Sequence, residues 1–183
     1  MNGFCCDKNM LRIEKANLGQ LDTITNLYRA CSKVMIEKGF DNWGNFYPPV
    51  SLIQEGIESG TSFCLLDGDK VLGIIVLDEM QPEEYKEVTW MYSASVSLVV
   101  HRLAIAVEAQ RKGYAKKLME FAELYAQKND YSIIRLDAYS INEGVLKFYR
   151  GLGYQCTKET ISLGDEYKHP FACFEKRVLT SFK

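Results

Sequence analysis

The sequence predicts an α/β fold with a mixed central sheet of about seven strands flanked by about four helices, and three observations carry that expectation. Apolar and amphipathic stretches follow one another as strand, two helices, three strands, helix, strand, helix, two strands. The apolar run Val96–Val107, the amphipathic stretch behind it and the strand-like SIIRLDA form a βαβ crossover, which makes the two strands parallel. Elsewhere, strand pairs joined by short turns have to be antiparallel, so the sheet is mixed.

Taken in order, LRIEK at Leu11–Lys15 alternates apolar and polar residues as a half-buried strand does, and Asn17 offers an N-cap to a helix. Leu21, Ile24, Tyr28, Cys31 and Met35 step by three and four and lay down one apolar stripe, closed by Gly39 after Lys38. An aromatic connection, FDNWGNFYPP, leads to a short helix from Ser51 to Glu58 that ends at Gly60. Two apolar runs then flank Asp67-Gly68-Asp69, a hairpin signature. Gln81–Ser95 is polar and turn-rich and reads as an excursion before the central strand, Val96–Val107.

AQRKGYAKK, Ala109–Lys117, opens a long amphipathic helix running to about Asn129, with Ala115, Leu118, Met119, Ala122 and Ala126 on one face. After SIIRLDA, Ser140 and Glu143 have capping-box spacing and introduce a helix whose Val145, Phe148, Tyr149 and Leu152 share a face. Gly151 or Gly153 ends it. YQCTKETIS and PFACFEKRVL read as two closing antiparallel strands. No repeat or linker divides the chain, which predicts a single domain over residues 1–183.

Composition narrows the function. A net charge of −2 gives no broad basic footprint, which argues against general nucleic-acid binding. No apolar run reaches membrane-spanning length, and MNGFCCDKNM lacks the apolar core of a secretory signal, so a cytoplasmic protein is expected. The six cysteines, Cys5, Cys6, Cys31, Cys64, Cys156 and Cys173, follow neither a zinc pattern nor a disulfide framework, and no metal site is expected.

One local feature needs an explanation. Arg111, Lys112, Lys116 and Lys117 crowd the start of a helix, the end where the helix dipole already disfavours cations. Free N–H groups beside basic side chains make a phosphate site, and Gly113, without a Cβ, lets a ligand approach the backbone. A polyphosphate or pyrophosphate is one reading; four cations solvating an exposed helix end is the other.

The surrounding residues resemble a known family. HRLAIAVEAQRKGYAKKLM is similar to the acetyl-CoA-binding motif of the GNAT N-acetyltransferase superfamily, whose Q/R-x-x-G-x-G/A signature stands here as Gln110-Arg111-Lys112-Gly113-Tyr114-Ala115. RLDAYSINEGVLKFYRGLGY resembles the second signature, with Asn142 at a helix start and Tyr149 seven residues on. The first helix, the DNWGNFYPP connection, the DGDKVLGIIVLD hairpin and the FACFEKRV strand also sit where this superfamily has counterparts, so the likeness covers nearly the whole chain. Ala115 replaces a frequent Gly and Val107 a frequent Pro.

The resemblance implies that the parallel central strands splay apart and that pantetheine pairs with backbone at Leu103, Ala104 and Ile105. The turn Gln110, Arg111, Lys112, Gly113, Tyr114, Ala115 and Lys116 would wrap the pyrophosphate. Asn142 would reach the pantetheine arm, or simply cap its helix. Tyr149 would protonate the departing CoA sulfur; its bland alternative is a core tyrosine with a bonded hydroxyl. Asp137 matches a carboxylate that serves some relatives as base, directly or through water, or it is a structural carboxylate at the strand end. His101 fits a satisfied strand histidine, and Glu108 is expected to face away.

Trp43, Tyr47 and Trp90, from the aromatic connection and the excursion, are candidate walls for the acceptor, with Phe46 as a further candidate; each could equally be packing. The implied activity is acetyl transfer from acetyl-CoA to a primary amine of a small molecule or peptide in a ternary complex, by a monomer or homodimer. A non-catalytic acyl-CoA sensor with the same fold is the alternative. A dinucleotide binder fits poorly, because no G-x-G-x-x-G opens a βαβ unit.

Overall fold

The computed structural model describes residues 11–93 and 96–178. Cys5, Cys6, the rest of the N-terminal stretch and the Ser95 end of the excursion lie outside the described residues. The elements come in the order expected: β1 (Leu11–Lys15), α1 (Leu21–Glu37), α2 (Val50–Glu58), β2 (Ser62–Asp67), β3 (Lys70–Asp78), β4 (Leu98–Ile105), α3 (Tyr114–Lys128), β5 (Ile133–Tyr139), α4 (Glu143–Gly151), β6 (Gln155–Ile161) and β7 (Phe171–Arg177). They build one seven-stranded sheet in the order β1-β2-β3-β4-β5-β7-β6. Every pairing is antiparallel except β4 with β5.

Two local expectations change. Arg111 and Lys112 stand before α3 rather than inside it, because Arg111 (φ 62°) and Gly113 (φ 81°) are left-handed and cannot continue a right-handed helix. The cap of α4 is Asn142, whose side chain accepts from the Val145 N–H at 3.2 Å, rather than Ser140. Gly39, Gly60 and Gly153 all take positive φ where their helices end.

Strand alternation sorts the side chains of β5 and β7 onto two faces. Ile134, Leu136, Ala138, Ala172 and Phe174 belong to the main core, together with Leu118, Met119 and Ala122 of α3 and Leu146 of α4. The opposite face pairs Arg135 with Glu175, Asp137 with Cys173 and Tyr139 with Phe171. The excursion between β3 and β4 covers part of it with Tyr85, Val88 and Trp90. The excursion is therefore a cover for a partly polar sheet face, which explains its own polarity.

Candidate active site

A parallel pair that separates is the centre of the site. β4 and β5 are in register only at Leu98 with Ile134 and Val99 with Arg135. Beyond Val99 the strands diverge, so Leu103, Ala104 and Ile105 have β3 on one side and a gap on the other. A bulge helps to turn β4 away: Ile74 faces Ala104 while Val76 faces His101, which leaves an extra residue in β4. Arg102 absorbs it at φ 49°. The Tyr28 hydroxyl donates to the Arg102 carbonyl at 2.9 Å, and the Cys31 thiol and Gln110 Nε2 both donate to the Ile105 carbonyl at 3.1 Å. Helix α1 and the turn before α3 thus hold the diverged strand from both ends.

At the foot of the gap the chain turns sharply before α3. Arg111 and Gly113 are left-handed, Gln110 before them is extended, and among the described residues no backbone acceptor meets the N–H groups of Arg111 to Lys116. The first α3 bond is Lys117 N–H to Gly113 O at 3.1 Å, and the N-cap has no side-chain partner. Such a nest of unpaired N–H groups at a helix start favours negative charge. A Cβ on Gly113 would meet nothing within 4 Å, so its backbone angle, and not crowding within the protein, requires glycine here.

Gap and turn open into one cleft of about 1000 Å³. Leu103, Ala104, Ile105, Gln110, Arg111, Gly113, Tyr114, Ala115, Lys116, Asn142, Asp137, Tyr149, Trp43 and Tyr47 all line it. Lys112 belongs to the turn but does not line the cleft. Phe46 is 80% exposed, with Arg29 over its ring at 5.9 Å, and also stands outside. Trp90 lies elsewhere as well: its ring packs on Tyr85 at 5.0 Å, its indole N–H donates to the Tyr85 carbonyl at 3.0 Å, and Arg135 stacks over it at 4.2 Å. Trp90 holds the excursion together.

Tyr149 is 7% exposed, with its ring 5.6 Å from Phe174 and 5.2 Å from Phe148. Among the described residues its hydroxyl makes no hydrogen bond. Burial, and then the charge of Asp137, raise its pKa above the ordinary phenol range, so the proton stays on oxygen. Asp137 comes from the other sheet face; burial raises its pKa, while the hydrogen bond from Tyr85 and nearby His101 pull it down. The separation of β4 and β5 is what lets groups from both faces reach one space. His101 is engaged by Asp78 at 3.1 Å and the Met80 carbonyl, and Glu108 pairs outside with Lys70 at 3.1 Å.

The aromatic end of the cleft contains residues that the sequence does not single out. Phe40, Tyr139, Tyr167 and Phe171 join Trp43 and Tyr47 in the wall. Asp41 ties the aromatic connection to β5 and to the segment before β7, accepting from the Tyr139 hydroxyl at 2.6 Å and from Lys168 at 2.8 Å. These bonds hold its pKa down at about 2, the lysine contributing most. Tyr139 lies 98 residues from Asp41, so no local signal announces the pair.

Burial pushes Cys31 up to about 11 and Cys64 and Cys173 up to about 12, which leaves these free thiols protonated and poor nucleophiles. Among the described residues no cluster of three His, Cys, Asp or Glu could hold a metal, and no helix is long and apolar enough to cross a membrane.

Comparison with known proteins agrees with this geometry. The model of the acetyltransferase (GNAT) family matches residues 21–154. An uncharacterised N-acetyltransferase, YesJ of Bacillus subtilis (strain 168), is 24% identical over 137 residues, covering 73% of this chain and 76% of that protein. A GNAT-family acetyltransferase of Streptococcus agalactiae superposes with a TM-score of 0.78 at 18% identity, over 91% of this chain and 95% of that one. The PaiA N-acetyltransferase of Thermoplasma acidophilum, solved with coenzyme A, gives a TM-score of 0.67 at 17% identity, over 92% and 99%. With its helices and strands in the expected order and its parallel pair opened above an N–H-lined turn, the chain belongs to the GNAT family of acetyltransferases.

Proposed function

We propose that this chain, as one domain working in the cytoplasm, transfers the acetyl group of acetyl-CoA to a primary amine of a small molecule or peptide by direct attack. The observation that carries the reading is the continuity of one cleft from the turn at Arg111–Lys116, past the open edge of β4, to Tyr149 and Asp137. The residues fit the coenzyme: among the described residues the turn has N–H groups without backbone acceptors, and the gap leaves β4 with no paired strand on the β5 side beyond Val99. The coenzyme of the PaiA complex supports the same assignment.

When bound, acetyl-CoA supplies an activated thioester carbonyl. The chain does the rest. Arg111 to Lys116 hold the diphosphate through backbone N–H groups, with the basic side chains adding charge. Leu103 to Ile105 hold the pantetheine arm as an added strand would be held, with Asn142 close by. Asp137 removes the proton of the incoming ammonium directly or through water. Backbone N–H on the opened strand meets the carbonyl oxygen as charge develops there, and Tyr149 meets the sulfur as it leaves.

Free-thiol release from acetyl-CoA over a panel of aliphatic, aromatic, aminoglycoside and peptide amines tests the activity; no release with any class of amine would refute it. Coenzyme A at a hundredfold excess over its Kd is expected to stabilise the fold by ~2.7 kcal/mol, a Tm rise of about 5–10 °C in a chain of this size. An unmoved melt would remove the coenzyme assignment. Trp43→Ala and Tyr47→Ala are each expected to raise KM for the amine roughly ten-fold, ~1.4 kcal/mol of lost contact, while the coenzyme-induced Tm rise persists. An unchanged KM in both would move the acceptor elsewhere in the cleft.

A further inference from the structure

Tyr85 sits on the 3-10 turn Glu83–Glu87 of the excursion, 3% exposed, and its hydroxyl donates to Asp137 Oδ2 at 2.9 Å. Among the described residues Asp137 Oδ1 makes no hydrogen bond, and Asp137 lines the cleft. One carboxylate oxygen is therefore committed to the sheet face and the other is uncommitted.

The donor itself is firmly held. The ring of Tyr85 packs on Trp90, and the Trp90 indole N–H ties back to the Tyr85 carbonyl. Arg135 lies over the indole and donates to Gln81 Oε1 and to the Tyr92 carbonyl, both at 3.2 Å. The Met91 N–H donates to Glu175. The sheet face thus grips the excursion before and after Tyr85, more anchoring than a polar loop needs merely to cover a strand.

We propose that Tyr85 is a positioning residue for acetyl transfer: by occupying Oδ2 of Asp137 it leaves Oδ1 as the one carboxylate oxygen presented to the incoming amine. This rests on the reading of Asp137 as the base. A carboxylate free to rotate would divide its time between productive and unproductive orientations, whereas a hydrogen bond to one oxygen fixes the lone pairs of the other. No GNAT motif quoted above contains Tyr85, and the excursion would otherwise read as a covering loop alone.

The arrangement also sets a pH dependence. Facing Asp137 are Tyr85 from the excursion, His101 from β4, Tyr149 from α4, Cys173 from β7 and Tyr167 from the connection before β7. Burial raises the Asp137 pKa, and the Tyr85 bond, then His101, lower it. Tyr85 is itself raised well above the ordinary phenol range by burial and by Asp137, so it donates throughout the working range. A base acts ionised, so activity rises as pH climbs through its pKa. Loss of the Tyr85 hydroxyl raises that pKa and moves the acid limb to higher pH.

The test uses protein labelled with 13C at aspartate carboxyl carbons, with Asp137→Asn identifying the resonance. Tyr85→Phe, which keeps the ring against Trp90, is expected to move the Asp137 titration upward by on the order of one pH unit. The acid limb of kcat/KM, measured with the best amine of the panel, is expected to move equally. Trp90→Phe keeps the hydroxyl and loosens the excursion; it is expected to lower Tm and leave the limb in place. Equal limb shifts in both variants would mean general loosening and would overturn the proposal, as would an unmoved titration in Tyr85→Phe. Full activity in Asp137→Asn would remove the base assignment and Tyr85 with it, yet leave the coenzyme assignment standing.

Discussion

Tyr149→Phe is expected to lower turnover at least ten-fold, a positioned acid contributing typically ~10²- to 10⁴-fold, while the affinity for acetyl-CoA stays nearly unchanged. The substitution is clean for a structural reason. Phenylalanine keeps the ring contacts with Phe148, Tyr154 and Phe174, and no protein hydrogen bond of the hydroxyl among the described residues is lost. The raised pKa makes Tyr149 a weak acid but a reliable donor. On the proposed function its main contribution is to meet charge growing on the sulfur, an interaction stronger in the transition state than in the ground state. Steady-state kinetics, a coenzyme titration and a thermal melt decide it: equal losses of turnover and affinity would make Tyr149 a packing residue.

Arg135→Leu is expected to be the most destabilising of the changes considered. Arg135 is 8% exposed and Glu175 0%, with Arg135 Nε 3.9 Å from Glu175 Oε2. Removing the cation leaves a carboxylate buried with the Met91 N–H as its remaining partner, and it releases Trp90, Gln81 and Tyr92 together. Losing one partner of a buried pair costs about 3–5 kcal/mol, which lowers Tm by roughly 6–20 °C at this chain length. At 3.9 Å the pair is loose, and among the described residues neither Arg135 Nε nor Glu175 Oε2 finds a hydrogen bond. The double variant Arg135→Leu/Glu175→Leu is therefore expected to regain much of the loss. A double variant no better than the single one would show that the stability comes from the excursion's contacts rather than from the charge balance.

The fold was legible because its signals are local and periodic. The stripe Leu21, Ile24, Tyr28, Cys31 and Met35, the Asp67-Gly68-Asp69 turn and the βαβ unit each occupy a short window, and each became the expected element. The start of α3 was misplaced because helical propensity in AQRKGYAKK continues through Arg111, whereas its left-handed backbone is imposed by the turn as a whole. The motif residues were recognisable because spacing within a motif is a sequence property. Partnerships across the sheet were not: Tyr85 with Asp137 spans 52 residues and Tyr139 with Asp41 spans 98. Trp90 shows the converse, an aromatic whose composition suggests a binding wall and whose register commits it to Arg135.

The interruption between β4 and β5 leaves a border without a paired strand in the middle of a sheet rather than along its outside. Outer borders recruit stray polypeptide and lead to aggregation. Here α3 packs on β4 and α4 on β5, so the opening is framed on both lips. The strands at the outer borders of the sheet are β1 and β6, whereas this inner border lies between flanking helices. The protein thus keeps its adhesive backbone inside the sheet, away from the margins where chains collide.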